Sequence, residues 1–142
     1  ADNNDDYCLF DCKMLSADGS PKKIEACDIY TKDKQFIHVK NKGQSAQLSH
    51  LFAQGKISAE CFSSDESFRK QIVDIEKFGS EPFDGSAKPR SNEYEIIYAI
   101  IDDKDSDINT KLPFFSKVNL MLTAQELERM HFRYSVCLIK RQ

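Results

Sequence analysis

The run YEIIYAII at residues 94–101 is the strongest constraint on how this chain can fold. Only Glu95 interrupts a series of apolar, β-favouring positions, whereas a strand with one wet face alternates apolar and polar residues. Such a run suits an interior strand of a parallel or mixed sheet, covered on both faces. Its neighbours must come from elsewhere in the chain, through connections long enough to cross over the sheet. The fold class is therefore α/β or α+β with a single mixed sheet.

The flanking sequence supplies the other elements. Residues 7–15 (YCLFDCKML), 24–31 and 35–40 are rich in strand-forming residues and are separated by the turn signals ADGSP and Lys32-Asp33-Lys34. Short connections predict an antiparallel three-strand meander. Ser45 then opens an amphipathic segment with Leu48, Leu51 and Phe52 on one side, and Gly55 is placed to close that helix. Residues 57–62 are ambiguous. Ser63 with Glu66 makes a capping box for a second helix, striped by Phe68, Ile72, Ile75 and Phe78 and ending at Gly79. Residues 80–92 form a Pro- and Gly-bearing loop, and Asp102, Asp103, Asp105 and Asp107 form an acidic one. Residues 113–122 fit a helix or an extended segment. Thr123 with Glu126 is a second capping box, predicting a helix to Met130, and residues 133–140 alternate as a final strand. The order is three antiparallel strands, helices, a buried strand, a helix and a strand. Residues 1–6 form a polar tail and residues 7–142 one domain.

Composition limits the functional classes. With 142 residues, 40% of them hydrophobic and ten Phe, the chain can fill one core. No window approaches the ~18 apolar residues of a membrane span, and the polar start is unlike a signal peptide. A cytoplasmic location is expected, and the missing initiator Met points to a piece of a longer protein. A net charge of −3 argues against a protein that simply coats nucleic acid. It leaves room for an enzyme with a local basic strip, and Lys32, Lys34, Lys40 and Lys42 cluster around one hairpin. The five cysteines have no zinc-ligand spacing and read as buried thiols in a reducing compartment.

That hairpin carries the candidate chemistry. If residues 32–34 form a three-residue loop, Thr31 opposes Gln35, Asp28 opposes His38 and Ala26 opposes Lys40. Opposed residues share a sheet face, as do residues two apart on one strand, so Asp28, His38 and Lys40 form a polar triangle. A slip of one residue would throw Asp28 to the other face. A carboxylate is a hard ligand for Mg²⁺ or Mn²⁺, an imidazole can add a ligand or act as base, and an ammonium can stabilise charge on a reacting phosphate. The same residues also read as a cross-strand Asp–His pair beside a solvated lysine. Ser45 and Ser49, near a helix start, suit either phosphate binding or capping. His50 reads as a helix-surface or packing residue, and His131 as a complement to a helix dipole. No nucleophile-elbow, Walker, Rossmann or H-E-x-x-H motif is present.

Two resemblances follow from these strings. CDIYTKDKQFIHVK, SAQLSHLFAQGKISAECF, LPFFSKVNL and RYSVCLIK together resemble a sporadically distributed bacterial family of unknown function, whose longer members occur in mobile-element or defence-like gene neighbourhoods. This implies that the chain is the C-terminal part of such a protein, with a preceding domain as partner. Asp28 on the second strand with His38-x-Lys40 on the third is similar to the PD-(D/E)XK superfamily of restriction-endonuclease-like folds. That resemblance implies a mixed sheet with residues 94–101 as the parallel strand after a helix. It also implies a Mg²⁺- or Mn²⁺-dependent phosphodiesterase acting on DNA rather than RNA. Asp28 would bind the metal, Lys40 would be the catalytic lysine, His38 would bind metal or act as base, and Gln54 would orient the phosphate. His38 stands where that superfamily usually carries an acid, and its first helix is missing from this chain. The first departure implies an altered metal, a partner acid such as Glu25 or a dead site, and the second that part of an active site lies outside this chain; the alternative is a catalytically inactive module of the same fold that binds nucleic acid or a protein.

Overall fold

The computed structural model describes residues 6–10, 14–16, 23–42, 45–76, 85–102 and 112–140. Their strands are β1 (Tyr7–Leu9), β2 (Met14–Ser16), β3 (Lys23–Glu25), β4 (Ile29–Thr31), β5 (Gln35–Asn41), β6 (Glu95–Asp102) and β7 (Arg133–Lys140). The helices are α1 (Ser45–Ser64), α2 (Glu66–Glu76) and α3 (Phe114–Arg129), with a 3₁₀ turn at Ser91–Glu93. The architecture is a mixed α+β domain. A five-stranded sheet has the order β1-β4-β5-β6-β7, antiparallel across β1-β4-β5 and parallel across β5-β6-β7. Gly79, Asp11, Cys12 and the acidic positions 103–107 lie outside the described residues.

The expected meander exists, but each of its first two strands is split. β2 and β3 form a separate antiparallel ribbon, while β1 and β4 join the main sheet. The cause is visible at residues 26–28. Ala26 and Cys27 belong to neither β3 nor β4 and are both buried, and the Asp28 N–H bonds the Ile37 carbonyl out of register. The chain bends there, and the ribbon tucks against α2, where the Gln71 side chain pairs with both backbone groups of Ser16. The β4–β5 turn matches expectation. Lys34 adopts φ 64° and its N–H donates to the Thr31 carbonyl, giving a three-residue loop.

The helices differ more from the sequence pattern. α1 runs through Gly55 and takes in residues 57–62, burying Ser58, Ala59 and Phe62. Gly55 is therefore a packing glycine rather than a cap: a Cβ there would lie 2.3 Å from the Tyr98 hydroxyl. The Ser63–Glu66 box is not the cap of α2; Asp65 Oδ1 accepts the Phe68 N–H instead. The Thr123–Glu126 pattern falls inside α3, which begins at Phe114, so residues 113–122 are helical apart from Pro113. His131 follows α3 with φ 65°, the left-handed position that ends a helix. Buried Arg69 ties the end of α1 to the following loop, donating to the carbonyls of Phe62, Ser63 and Gly85.

All three helices cover one face of the sheet. Phe36 meets Phe62 of α1, Tyr98 meets Phe52 of α1, Cys8 reaches the Ile75 carbonyl of α2, and Tyr134 bonds Glu128 of α3. Phe36, His38, Ile96, Tyr98 and Ile100 are buried on this side. The alternate positions Ile37, Val39, Ile97 and Ile101 face away and are only half-buried, while Cys137 and Ile139 are exposed. The run at residues 94–101 is thus an interior strand, as expected, but the described helices cover only one of its faces; on the other, Ala99 is buried while Ile97 and Ile101 are half-buried. Cys137 departs from the expected buried thiol for the same reason.

Candidate functional site

The register across β4 and β5 pairs Ile29 with Ile37 and Tyr30 with Phe36. The regular pairing ends at Ile29, one residue short of the expected Asp28–His38 pair. Asp28 stands at the bend before β4, where the regular ladder stops and its N–H donates to Ile37 rather than to His38. Its carboxylate then takes over a ladder role, with Oδ2 accepting the Val39 N–H at 2.7 Å. This charge-assisted bond holds the hairpin closed where β4 has not yet begun.

His38 points to the helix-covered side and is only 3% exposed. Its ring lies 5.8 Å from that of Tyr98, and its Nε2 is buried without a hydrogen-bond partner. Burial lowers its pKa to about 4, against the opposing pull of Asp28. The imidazole is neutral at physiological pH. Lys40, two residues along the same strand, is exposed and lies on the His38 face by strand alternation.

The remaining candidates divide. Gln54 is half-buried on α1. The hydroxyl of Ser49 accepts a bond from Asn119 Nδ2, which ties α1 to α3. The side chain of Ser45 lies outside the described residues. His50 is exposed on α1.

The donor set is thin for a divalent ion. Among the described residues no group of three His, Cys, Asp or Glu side chains is placed to hold a metal. Mg²⁺ prefers oxygen ligands and keeps several waters. Asp28 supplies one carboxylate already engaged with the backbone, and His38 Nε2 is enclosed where a hydrated ion has no room. These residues do not fit a metal centre by themselves.

The sequence pattern did not single out the outer surface of α3. Its buried side carries Ser116, Thr123 and Leu127, with the Ser116 hydroxyl lacking a partner. Its exposed side carries Phe114, Phe115, Met121 and Leu122. Leu120 also packs against the core, so the helix is apolar on its exposed side as well as on its buried one. The signal was available, since FFSKVNLML has apolar residues around the whole helix, which one packed face cannot absorb.

The molecule is thus a mixed α+β domain with a polar hairpin at the centre of its sheet and helices on one face. The model for DUF6119, a family of unknown function, matches residues 1–140, and the chain belongs to that family. No curated protein and no solved structure matches it. Among the described residues, no helix is long and apolar enough to cross a membrane.

Proposed function

We propose that this chain is a non-catalytic binding module that docks a second protein domain onto the uncovered face of its sheet. The observation that carries this reading is the row of Ile37, Val39, Ile97, Ile101 and Ile139 on the side away from the helices. Parallel strands are almost always covered on both faces, usually by helices. The five strands of three to eight residues, at ~4.8 Å spacing and ~3.3 Å rise, present a face on the order of 450 Å², polar positions included. That lies within the range of the largest patches on monomers, which often mark interaction sites. The expected occupant is a helical layer from a domain preceding this one or from another protein. The Asp28 and His38 arrangement supports the same reading, because both side chains serve the hairpin and the core.

A second reading, the metal-dependent phosphodiesterase acting on DNA, is favoured by one feature. His38 and Lys40 stand two apart on β5, and Asp28 lies close enough to His38 to act on its charge. One experiment separates the two. Calorimetry with Mn²⁺ and Mg²⁺, alongside cleavage of single- and double-stranded DNA, should show neither metal binding nor cleavage. Cleavage that requires metal and vanishes in both Asp28→Ala and Lys40→Ala would replace the binding module with the enzyme.

A further inference from the structure

The exposed apolar side of helix α3 points to a contact on the opposite side of the molecule from the open sheet face. Phe114 and Phe115 are 73% and 71% exposed, and Met121 and Leu122 are 54% and 50% exposed. The two phenyl rings pack edge-to-face on each other, 5.6 Å apart, so they form a preformed ridge rather than two independent side chains. Phe114 precedes Met121, and Phe115 precedes Leu122, by seven residues, the repeat that keeps side chains on one seam of paired helices. At 100° per residue Val118 lies at the middle of this stripe, diametrically opposite buried Leu127. Between Phe114 and Leu122 no charged side chain falls within it, and Lys117 stands at its margin; Gln125 and Arg129 continue the same side toward the end of the helix.

We infer that α3 is a self-association surface, pairing antiparallel with α3 of a second copy about a two-fold axis through Val118. The pattern is complementary to itself. Antiparallel apposition sets Phe114 against Leu122 and Phe115 against Met121 of the other copy, twice over, as an isologous contact requires. Each ring meets an aliphatic side chain, and the thioether of Met121 favours an aromatic neighbour. The area is sufficient for a weak contact. With about 200 Å² for an aromatic side chain and somewhat less for Met or Leu, the four exposed residues offer roughly 450–500 Å² per copy. Two copies remove at most roughly 900–1,000 Å² from these side chains alone, below the ~1,200 Å² of stable specific interfaces and within the range of weak, transient ones. The dimer is therefore a weak, concentration-dependent one.

Sedimentation velocity from about 1 to 200 µM tests this, on the chain as it stands. The weight-average mass should climb from one chain toward two across that range. Phe114→Ser/Phe115→Ser should remain monomeric throughout, with unchanged circular dichroism and melting temperature because the replaced rings are outside the core. Met121→Glu should also abolish the dimer, whereas Ile57→Ser, an exposed apolar residue on α1, should leave it intact. A wild-type chain monomeric at 200 µM would overturn the inference. So would a dimer that survives Phe114→Ser/Phe115→Ser, or one lost in Ile139→Ser on the sheet face instead. The last outcome would move self-association to the sheet and leave α3 without a partner of its own. A chain that stays monomeric but sediments with phosphatidylserine vesicles through Phe114 and Phe115 would assign the ridge to a membrane surface and refute the pairing.

Discussion

His38 gives the sharpest quantitative test. In the unfolded chain its imidazole titrates near 6.5, while burial holds it at about 4 in the folded protein. Above pH 6.5 both states are neutral and the residue adds no pH dependence. As pH falls from 6.5 toward 4, the unfolded chain takes up a proton that the folded protein refuses, so stability is lost across that window. Below about 4 both states are protonated and the loss levels off. A difference of about 2.5 pH units corresponds to about 3 kcal/mol, of which about 2.5 kcal/mol is already lost by pH 4.5. Urea unfolding of the wild type and His38→Leu at pH 7.5, 6.5, 5.5 and 4.5 isolates this contribution, because the carboxylates titrate in both. The gap between the two proteins should shift by about 2–3 kcal/mol toward the variant between pH 7.5 and 4.5. Parallel curves, or a His38 ring proton that titrates near 6.5 in the folded protein, would show that the imidazole is not sealed in the core.

Other perturbations test how the hairpin and core are held. Asp28→Ala should cost about 1–3 kcal/mol by stranding the Val39 N–H, whereas Asp28→Asn keeps an acceptor and should cost under about 1 kcal/mol; equal losses in chemical denaturation would refute the ladder role. Gly55→Ala should destabilise by about 1–3 kcal/mol despite the better helix propensity of Ala. Adding Tyr98→Phe should recover part of that, since ring carbons at 2.6 Å remain after the hydroxyl is gone; full additivity of the two changes would place the clash elsewhere. Arg69→Met removes the donor shared by three carbonyls and should cost about 2–4 kcal/mol, read as a drop in urea midpoint. Hydrogen exchange should then rise at the start of the described loop around Gly85 before it rises in β6.

Local pattern carried much of the fold. The apolar run at 94–101 required an interior strand, the Lys32-Asp33-Lys34 spacing required the register that opposes Tyr30 to Phe36 and Ile29 to Ile37, and alternation at 133–140 gave β7. These features depend on periods of two or on turn length, which act over a few residues. The site's chemistry was less legible. Which atom Asp28 serves depends on where β4 stops, and β4 stops because Ala26 and Cys27 are both drawn into the core. No local rule supplies that bend. Gly55 looked like a helix end because glycine commonly ends helices; its real constraint is Tyr98, a contact 43 residues along the chain.

The same division explains the two apolar surfaces. Sequence alone marked Ile97, Ile101, Phe114, Phe115, Met121 and Leu122 as hydrophobic and so as candidates for burial. Packing placed the described helices on one side of the sheet and drew Ser116, Asn119 and Thr123 of α3 inward together with Leu120 and Leu127, since Asn119 bonds Ser49 and Ser116 and Thr123 are buried. Hydrophobicity measures what a side chain gains by leaving water, and this is a property of the residue. Whether it leaves water within this chain or against another is a property of the assembled layers.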